Sequence, residues 1–332
     1  MRPPYFWRAG LDPKSREAAP LTRLLLTPLE QAYLFGFRLR WRRARPAPAP
    51  CPVICVGNVS VGGSGKTPLV AFLRGRIAEM GLRAASLSRG HGGALKGPVQ
   101  VDPAVHTAAE VGDEPLMLAA HGESWIGRDR PATAGAMVAA GVEVIIMDDG
   151  FQTPSLEKTL SILVLDGDAG LGNGFCLPKG PLREPFASAE ARADLTVVTG
   201  SGQAVPRAVL DRSLRAQIRA TASAPEGPVV AFAGIGRPEK LFDSLKDAGA
   251  DLREGVAFGD HYRYRRRDMS FLKNLASDHG ARLVTTEKDL ARLPTAWRDG
   301  ILPWPVALHF EGDLAPLDAA LAKALERDGD GK

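Results

Sequence analysis

Cys51-Pro52-Val53-Ile54-Cys55-Val56-Gly57 runs directly into Asn58-Val59-Ser60-Val61-Gly62-Gly63-Ser64-Gly65-Lys66-Thr67. The first seven residues form a short apolar run, the pattern of a buried parallel strand. Pro68, Leu69, Val70, Phe72, Leu73 and Ile77 then follow a helical spacing. Strand, glycine loop and helix are the context in which a G-x-x-x-x-G-K-[ST] run is a phosphate-binding P-loop. Ser60, Val61, Gly62, Gly63, Ser64 and Gly65 are the expected cradle, their N–H groups turned toward a β-phosphate. Lys66 is expected to reach the β/γ-phosphates of a bound nucleotide, and Thr67 to ligate Mg2+. The strict motif opens with glycine, and Ser60 stands at that position here.

A second apolar run, Val142 to Met147, ends in Asp148-Asp149. An acidic residue closing such a strand is where a P-loop protein holds its metal or the metal's water shell. Strand-like runs at 53–57, 84–87, 142–147 and 161–165 alternate with helical stretches, and the habit recurs at 195–199, 229–233, 283–286 and 306–310. That alternation predicts an α/β protein with parallel sheets covered by helices on both faces. The site is expected at the carboxyl ends of the first sheet's strands.

Composition narrows the class. The chain has 332 residues, enough for about two domains. A 45% hydrophobic and 24% charged content excludes a disordered or fibrous chain. Cys51, Cys55 and Cys176 cannot form a disulfide framework, and the Cys51/Cys55 spacing is neither a redox nor a zinc pair. A reducing compartment is the expectation. Neither a membrane span nor a signal peptide is legible.

The net charge of +4 is unevenly placed. Residues 1–45 carry ten Lys/Arg and three Asp/Glu, whereas the rest of the chain is slightly acidic. A nucleic-acid binder more often spreads its charge over a folded face, so nucleic acid is not an expected partner. Thr27-Pro28-Leu29-Glu30 fits a helix start with Thr27 as cap and Glu30 closing a capping box. Leu21, Leu25, Leu29, Ala32, Phe35 and Leu39 line one face, and Arg38, Arg40, Arg42, Arg43 and Arg45 crowd the far end. Two readings stand: a helix in the membrane interface with arginines on anionic headgroups, or a helix docked on the protein's own core. Arg42 to Pro50 reads as an extended linker.

The remaining short runs are Ser88-Arg89-Gly90-His91-Gly92-Gly93, Gly112-Asp113-Glu114-Pro115, Asp148-Asp149-Gly150-Phe151-Gln152 and Leu177 to Pro185. Phe232 to Pro238, Asp260-His261-Tyr262 and Thr285 to Asp289 follow. Singly, each is turn chemistry. Thr286-Glu287-Lys288-Asp289 reads as a turn and helix start, because its lysine is displaced from the guanine-reading pattern. Gly234-Ile235-Gly236 reads as a tight turn, because Glu239 replaces the third glycine of a dinucleotide fingerprint.

Together, in this order, these runs resemble the tetraacyldisaccharide 4'-kinase (lipid A 4'-kinase) family, from about Tyr5 to about Arg292. The resemblance implies a P-loop NTPase-like lobe and a second, smaller α/β/α lobe joined by a short β linker. It implies transfer of the γ-phosphate of ATP to the 4'-hydroxyl of a tetraacyldisaccharide 1-phosphate, with Mg2+. Asp113 is then the base, with His261 as its partner from the second lobe. Asp148 and Asp149 lie near the metal, and Glu184 joins them. Asn58, Arg89, His91, Gln152 and Arg183 fall near acceptor or nucleotide. His91 departs from the family, which has Tyr there. A peripheral, monotopic place on the cytoplasmic face of the inner membrane follows, on an anionic surface and with no obligate protein partner evident.

The expected division is a basic segment at 1–45, a P-loop lobe at 46–165 and a linker and substrate loop at 166–184. A second lobe follows at 185–310, and a C-terminal helix at 311–332 returns to the first. Other functions in view are a P-loop ATPase or GTPase switch, a metallochaperone, and a kinase of a small hydrophilic metabolite. A metallochaperone needs Cys/His clusters, and the sequence has none; a soluble kinase has no use for the arginine-rich segment.

Overall fold

The computed structural model describes residues 4–326; the first three and last six residues of the expected terminal segments lie outside them. The apolar runs become strands because their side chains are covered on both faces. In chain order these are β1 (Val53–Gly57), β2 (Ala84–Ser88), β3 (Val99–Gln100), β4 (Ser124–Ile126), β5 (Val144–Asp148), β6 (Leu160–Asp166) and β7 (Leu195–Thr199). They continue as β8 (Leu214–Ala220), β9 (Pro228–Ala233), β10 (Asp251–Ala257), β11 (Arg282–Thr286), β12 (Ile301–Trp304) and β13 (Val306–Glu311).

Nine strands form one sheet in the order β13-β8-β7-β6-β1-β5-β2-β4-β3. All its pairings are parallel except β3 with β4 and β13 with β8. β1 sits between β5 and β6, every residue of it buried. Helix Lys66–Glu79 covers one face through Leu69, Val70, Leu73 and Ile77, each burial worth about 1.5–3 kcal/mol. Leu317, Leu321 and Ala324 of helix Ala315–Leu325 pack into the same layer. On the other face, helix Arg130–Ala139 contributes Ala134 and Met137, and helix Pro20–Arg43 contributes Leu34. The second sheet is a parallel β10-β9-β11-β12, with its own apolar clusters.

The expected division of the chain changes here. β7, β8 and β13 all lie in the large sheet, so the small sheet spans only Pro228 to Trp304. Sequence order misleads because the chain adds β7 and β8 beside β6 before it leaves. The link is not 166–184 but the antiparallel pair β8 and β13, which carries the chain out and back. Thr221 N–H donates to Pro305 O at 3.1 Å where the two crossings meet.

The N-terminal helix also begins earlier than its capping signal. It starts at Pro20, with Ala19 in the left-handed region, and Pro28 lies inside it. Thr27 caps nothing; its hydroxyl donates to Arg23 O one turn back, beside the proline that lacks an N–H. Glu30 is buried and serves another segment. The apolar face faces outward: Leu21 is 76%, Leu25 77% and Phe35 68% exposed. No helix among the described residues is long and apolar enough to cross a membrane.

Gly57 ends β1 where the chain turns toward the phosphate loop. A Cβ there would lie 2.6 Å from Phe151 Cβ and 2.9 Å from its backbone nitrogen. Gly57→Ala should therefore destabilise the protein by about 1–3 kcal/mol through overpacking, read as a lowered midpoint in urea unfolding. Wild-type stability in that variant would contradict the close approach.

Candidate active site

The carboxyl ends of β1, β5, β6 and β7 converge on one edge, and the phosphate loop rises from β1. Gly65 adopts φ +85° and precedes the helix whose first residues are Lys66 and Thr67. An added Cβ at Gly65 would meet Thr199 and Ile218 at 3.0–3.1 Å. The loop's near side is tied down: Val61 N–H donates to Pro181 O at 2.9 Å, and Arg183 N–H to Val59 O at 2.6 Å. Ser64 is buried and its hydroxyl has no hydrogen-bond partner; Asn58 Oδ1 is likewise buried and unmet. Asn58 Nδ2 donates to Gly62 O at 3.4 Å.

β5 delivers the two aspartates differently. Asp148 is the last strand residue and is buried, with Oδ1 lacking any partner. Burial first, then the neighbouring Glu114 charge, pushes its pKa up to about 7. Asp149 lies in the left-handed region at φ 54°, which turns its carboxylate to Lys66 Nζ at 3.5 Å and Arg183 Nη1 at 2.8 Å. Burial opposes ionisation there, but Lys66 and Arg183 outweigh it and hold Asp149 at about 2. Gln152 donates to Glu184 Oε1 at 2.9 Å and to Asn58 O at 2.8 Å. Arg192 takes the other oxygen of Glu184 at 2.6 Å.

These contacts sort the expected metal ligands. Among the described residues no three His, Cys, Asp or Glu side chains cluster as a ready-made cation site. Mg2+ is usually held by one or two protein oxygens with substrate phosphates and water. The orphaned Asp148 Oδ1, at the strand end facing Lys66, fits that chemistry. Asp149 and Glu184 already spend their oxygens on Lys66, Arg183, Gln152 and Arg192.

Across the cleft, groups of the small-sheet half meet Asp113 of the large-sheet half. Asp113 opens helix Asp113–Ala120, one residue past the Gly112 cap, and Oδ1 accepts from Glu114 N–H at 3.1 Å. Its Oδ2 lies 3.1 Å from His261 Nδ1 and 2.7 Å from Arg292 Nε. His261 also occupies the left-handed region, at φ 54°, so its ring is aimed by a strained backbone. Burial alone would raise the Asp113 pKa; the His261 hydrogen bond, Lys288 and Arg292 outweigh it and hold the carboxylate well below its usual range. The exposed His91 ring lies edge-on to His261, with centroids 6.4 Å apart. Arg89 is exposed beside it.

The family resemblance brought out Asp113 and His261 but not the cations that organise them. Thr286 does cap helix Glu287–Arg292, as the turn reading has it. Its Lys288, however, bonds Glu114 at 2.7 Å, and Arg292 holds Asp113, Asp289 and Gly234 O. At the cleft's other end Lys240 lies 3.3 Å from Asp166, and Arg237 contacts the same carboxylate. No local periodicity marks the partners that meet across the cleft, Lys240 and Asp166 at a separation of 74 residues and Arg292 and Asp113 at 179.

A polyphosphate loop facing an Asp–His pair across a cleft defines the class, a P-loop phosphotransferase. The sequence pattern of LpxK, tetraacyldisaccharide-1-P 4'-kinase, matches residues 22–326, and the chain belongs to that family. It is 56% identical over 331 residues to the tetraacyldisaccharide 4'-kinase of Hyphomonas neptunium, covering 99% of each chain. It is 45% identical over 345 residues to that of Maricaulis maris, covering 99% of this chain and 98% of the other. The crystal structure of LpxK from Aquifex aeolicus in complex with ATP matches with a TM-score of 0.73 at 27% identity, over 92% of this chain and 99% of that one. The chain is thus an enzyme, a kinase of lipid A biosynthesis.

The buried Asp148 carries a measurable cost. Its folded pKa of about 7 lies above the 3.8 of an ordinary carboxyl. Below pH 4 both folded and unfolded chains hold the proton, and nothing is lost. As pH rises through 4 to 7 the unfolded chain ionises first, so stability falls, and above 7 the full penalty remains. In metal-free buffer, Asp148→Asn should be more stable than wild type at pH 8 by on the order of a few kcal/mol, with little difference at pH 4. Equal stability of the two proteins at pH 8 would remove the assignment of an unmet buried charge.

Proposed function

We propose that this enzyme transfers the γ-phosphate of ATP to the 4'-hydroxyl of a tetraacyldisaccharide 1-phosphate, with Asp113 as base and His261 as its partner. The contact between Asp113 and His261, 3.1 Å across 148 residues of sequence, carries this reading. Residues 60–67 cradle the triphosphate, with Lys66 following the γ-phosphate. Arg183, aimed by Asp149, adds positive charge on the same side. Thr67 and Asp148 would hold Mg2+, which neutralises charge on the β- and γ-phosphate oxygens when bound. Arg89, His91 and Gln152 line the space left for the acceptor, and the buried Asn58 supports them through its carbonyl, which accepts from Gln152.

The proton chemistry follows from the pairing. A sugar hydroxyl is a poor nucleophile, and in a loose phosphoryl transition state its proton leaves late. A carboxylate held ionised at working pH is always ready to accept it. The ionised Asp113 carboxylate can only accept, so His261 Nδ1 donates the proton that the two share, leaving Nε2 directed elsewhere. Labelled ATP incubated with and without the lipid acceptor tests the reaction, and Lys66→Ala serves as the control that should lose on the order of 10³-fold in kcat. No label in the lipid would overturn the proposal.

If Asp113 and His261 act as one unit, their losses should not multiply. Asp113→Ala/His261→Ala should be hardly slower than the worse single variant, with ATP binding retained. Multiplicative losses, or loss of ATP affinity in Asp113→Ala, would contradict the pairing.

We further infer that helix Pro20–Arg43 lies on an anionic membrane surface at the cytoplasmic face of the inner membrane. Four acyl chains hold the acceptor in a bilayer at about 0.8 kcal/mol per buried CH₂, so the enzyme must come to it. The outward Leu21, Leu24, Leu25, Leu29 and Phe35 support this over a helix docked by that face. Each interfacial arginine should add about 1 kcal/mol. Changing Arg38, Arg40, Arg42 and Arg43 to Gln should weaken sedimentation with anionic vesicles, and salt should do the same to the wild type. A four-fold variant that pellets like wild type would return the helix to a purely structural role.

A further inference from the structure

We propose that helix Pro20–Arg43 positions the phosphate site, through Glu30 and Tyr33 acting on the segment Cys176–Arg183. Its membrane half rests on the bilayer reading given above. Beside its one buried apolar contact, Leu34, the inner face of the helix carries a buried carboxylate and a tyrosine hydroxyl that reach another segment. Glu30 is buried, and Oε1 accepts from Cys176 N–H at 2.8 Å, with Lys179 Nζ 3.6 Å from Oε2. Tyr33 donates its hydroxyl proton to Arg183 O at 2.7 Å. A carboxylate this deeply buried is tolerated only where it is paired and hydrogen-bonded.

The held segment in turn holds the nucleotide loop. Pro181 O accepts from Val61 N–H, and Arg183 N–H donates to Val59 O, a short antiparallel seam along the loop's edge. Arg183 thus sits between Tyr33 on its carbonyl and Val59 on its amide, and its guanidinium is aimed at Asp149. A third link runs from the helix end. The Trp41 ring lies 4.3 Å from the Arg192 guanidinium, which holds Glu184. One helix therefore carries the bilayer contact on one face and the edge of the phosphate loop on the other. Seating the outer face on lipid and ordering residues 59–61 and 176–183 become one event.

The experiment uses the full chain with Tyr33→Phe, which removes one hydroxyl, and Glu30→Met, which removes the acceptor. Vesicle sedimentation, backbone hydrogen exchange with and without empty anionic vesicles, and kinetics in mixed micelles are compared. In wild type, vesicles should slow exchange at 59–61 and 176–183. Both variants should pellet like wild type, lose that slowing, and drop kcat per ATP-binding site up to about tenfold, with the acceptor KM unchanged. A merely structural role would lower the number of ATP-binding sites and leave kcat per site alone. Wild-type kcat per site in both variants overturns the positioning role. Wild-type protein that pellets without slowed exchange overturns the coupling. Wild-type protein that does not pellet overturns the bilayer reading, and the coupling with it.

Discussion

The Arg292 guanidinium is the contact on which the two-sheet arrangement turns. It is almost wholly buried, and a buried cation without partners would be prohibitively costly. It meets that cost with Asp113 from the large-sheet half and Asp289 and Gly234 O from its own. Asp289 is buried as well, and Tyr264 and Thr286 satisfy its remaining lone pairs. Removing any one charge strands the others, so the network fixes the distance between the helices Asp113–Ala120 and Glu287–Arg292. His261 reaches Asp113 only because that distance is fixed.

The same economy of charge explains the two non-glycine residues that sit at φ 54° in the cleft. Asp149 and His261 each follow a residue or loop whose direction is set by a sheet, and each must point across the chain's path. Left-handed backbone costs an ordinary residue on the order of 1 kcal/mol or more. Here strong ionic partners offset it: Lys66 and Arg183 for one, Asp113 for the other. Asp148, by contrast, has regular strand geometry and no partner for Oδ1. Of the two neighbours, the one left unsatisfied is the one suited to an incoming cation.

Much of this was legible in the sequence where the signal is local. The run from Cys51 to Thr67 gave strand, loop and helix, because each is specified by residues within one turn of itself. The eight expected strands all form, though β3, β4, β8, β10 and β12 were not anticipated. β10 is Asp251-Leu252-Arg253-Glu254-Gly255-Val256-Ala257, an edge strand too exposed and polar to show an apolar run. Sheet membership was less legible. β7 and β8 are ordinary strands, and only the pairing of β7 with β6 and of β8 with β7 shows that they precede the crossover. The Thr27 capping signal failed for a related reason. Tertiary contacts at Glu30 and Leu34 extended the helix through Pro28 and overrode a local preference worth about 1 kcal/mol.

The two sheets meet through charge rather than grease. Arg292 with Asp113, Lys288 with Glu114 and His121 with Glu287 line one end of the cleft; Lys240 with Asp166 and Asp168 line the other. Apolar contact between them is marginal, with Ala291 against the cluster around Val111 and Leu116 and, at the crossover, Ala220 and Val306 against the small sheet's core. Interfaces of this kind resemble those of domains that move relative to each other. Covalently, the halves are joined where β8 leaves and β13 returns, and Pro305 alone separates β12 from β13. That antiparallel pair belongs to the large sheet, so a change in cleft width must be absorbed within residues 221–227 and around Pro305. A stiff strand pair on one side and ion pairs on the other join the halves without merging their cores. A polar interface is also what the site requires: its groups must face water when empty and phosphate when filled, and a greasy seam would permit neither.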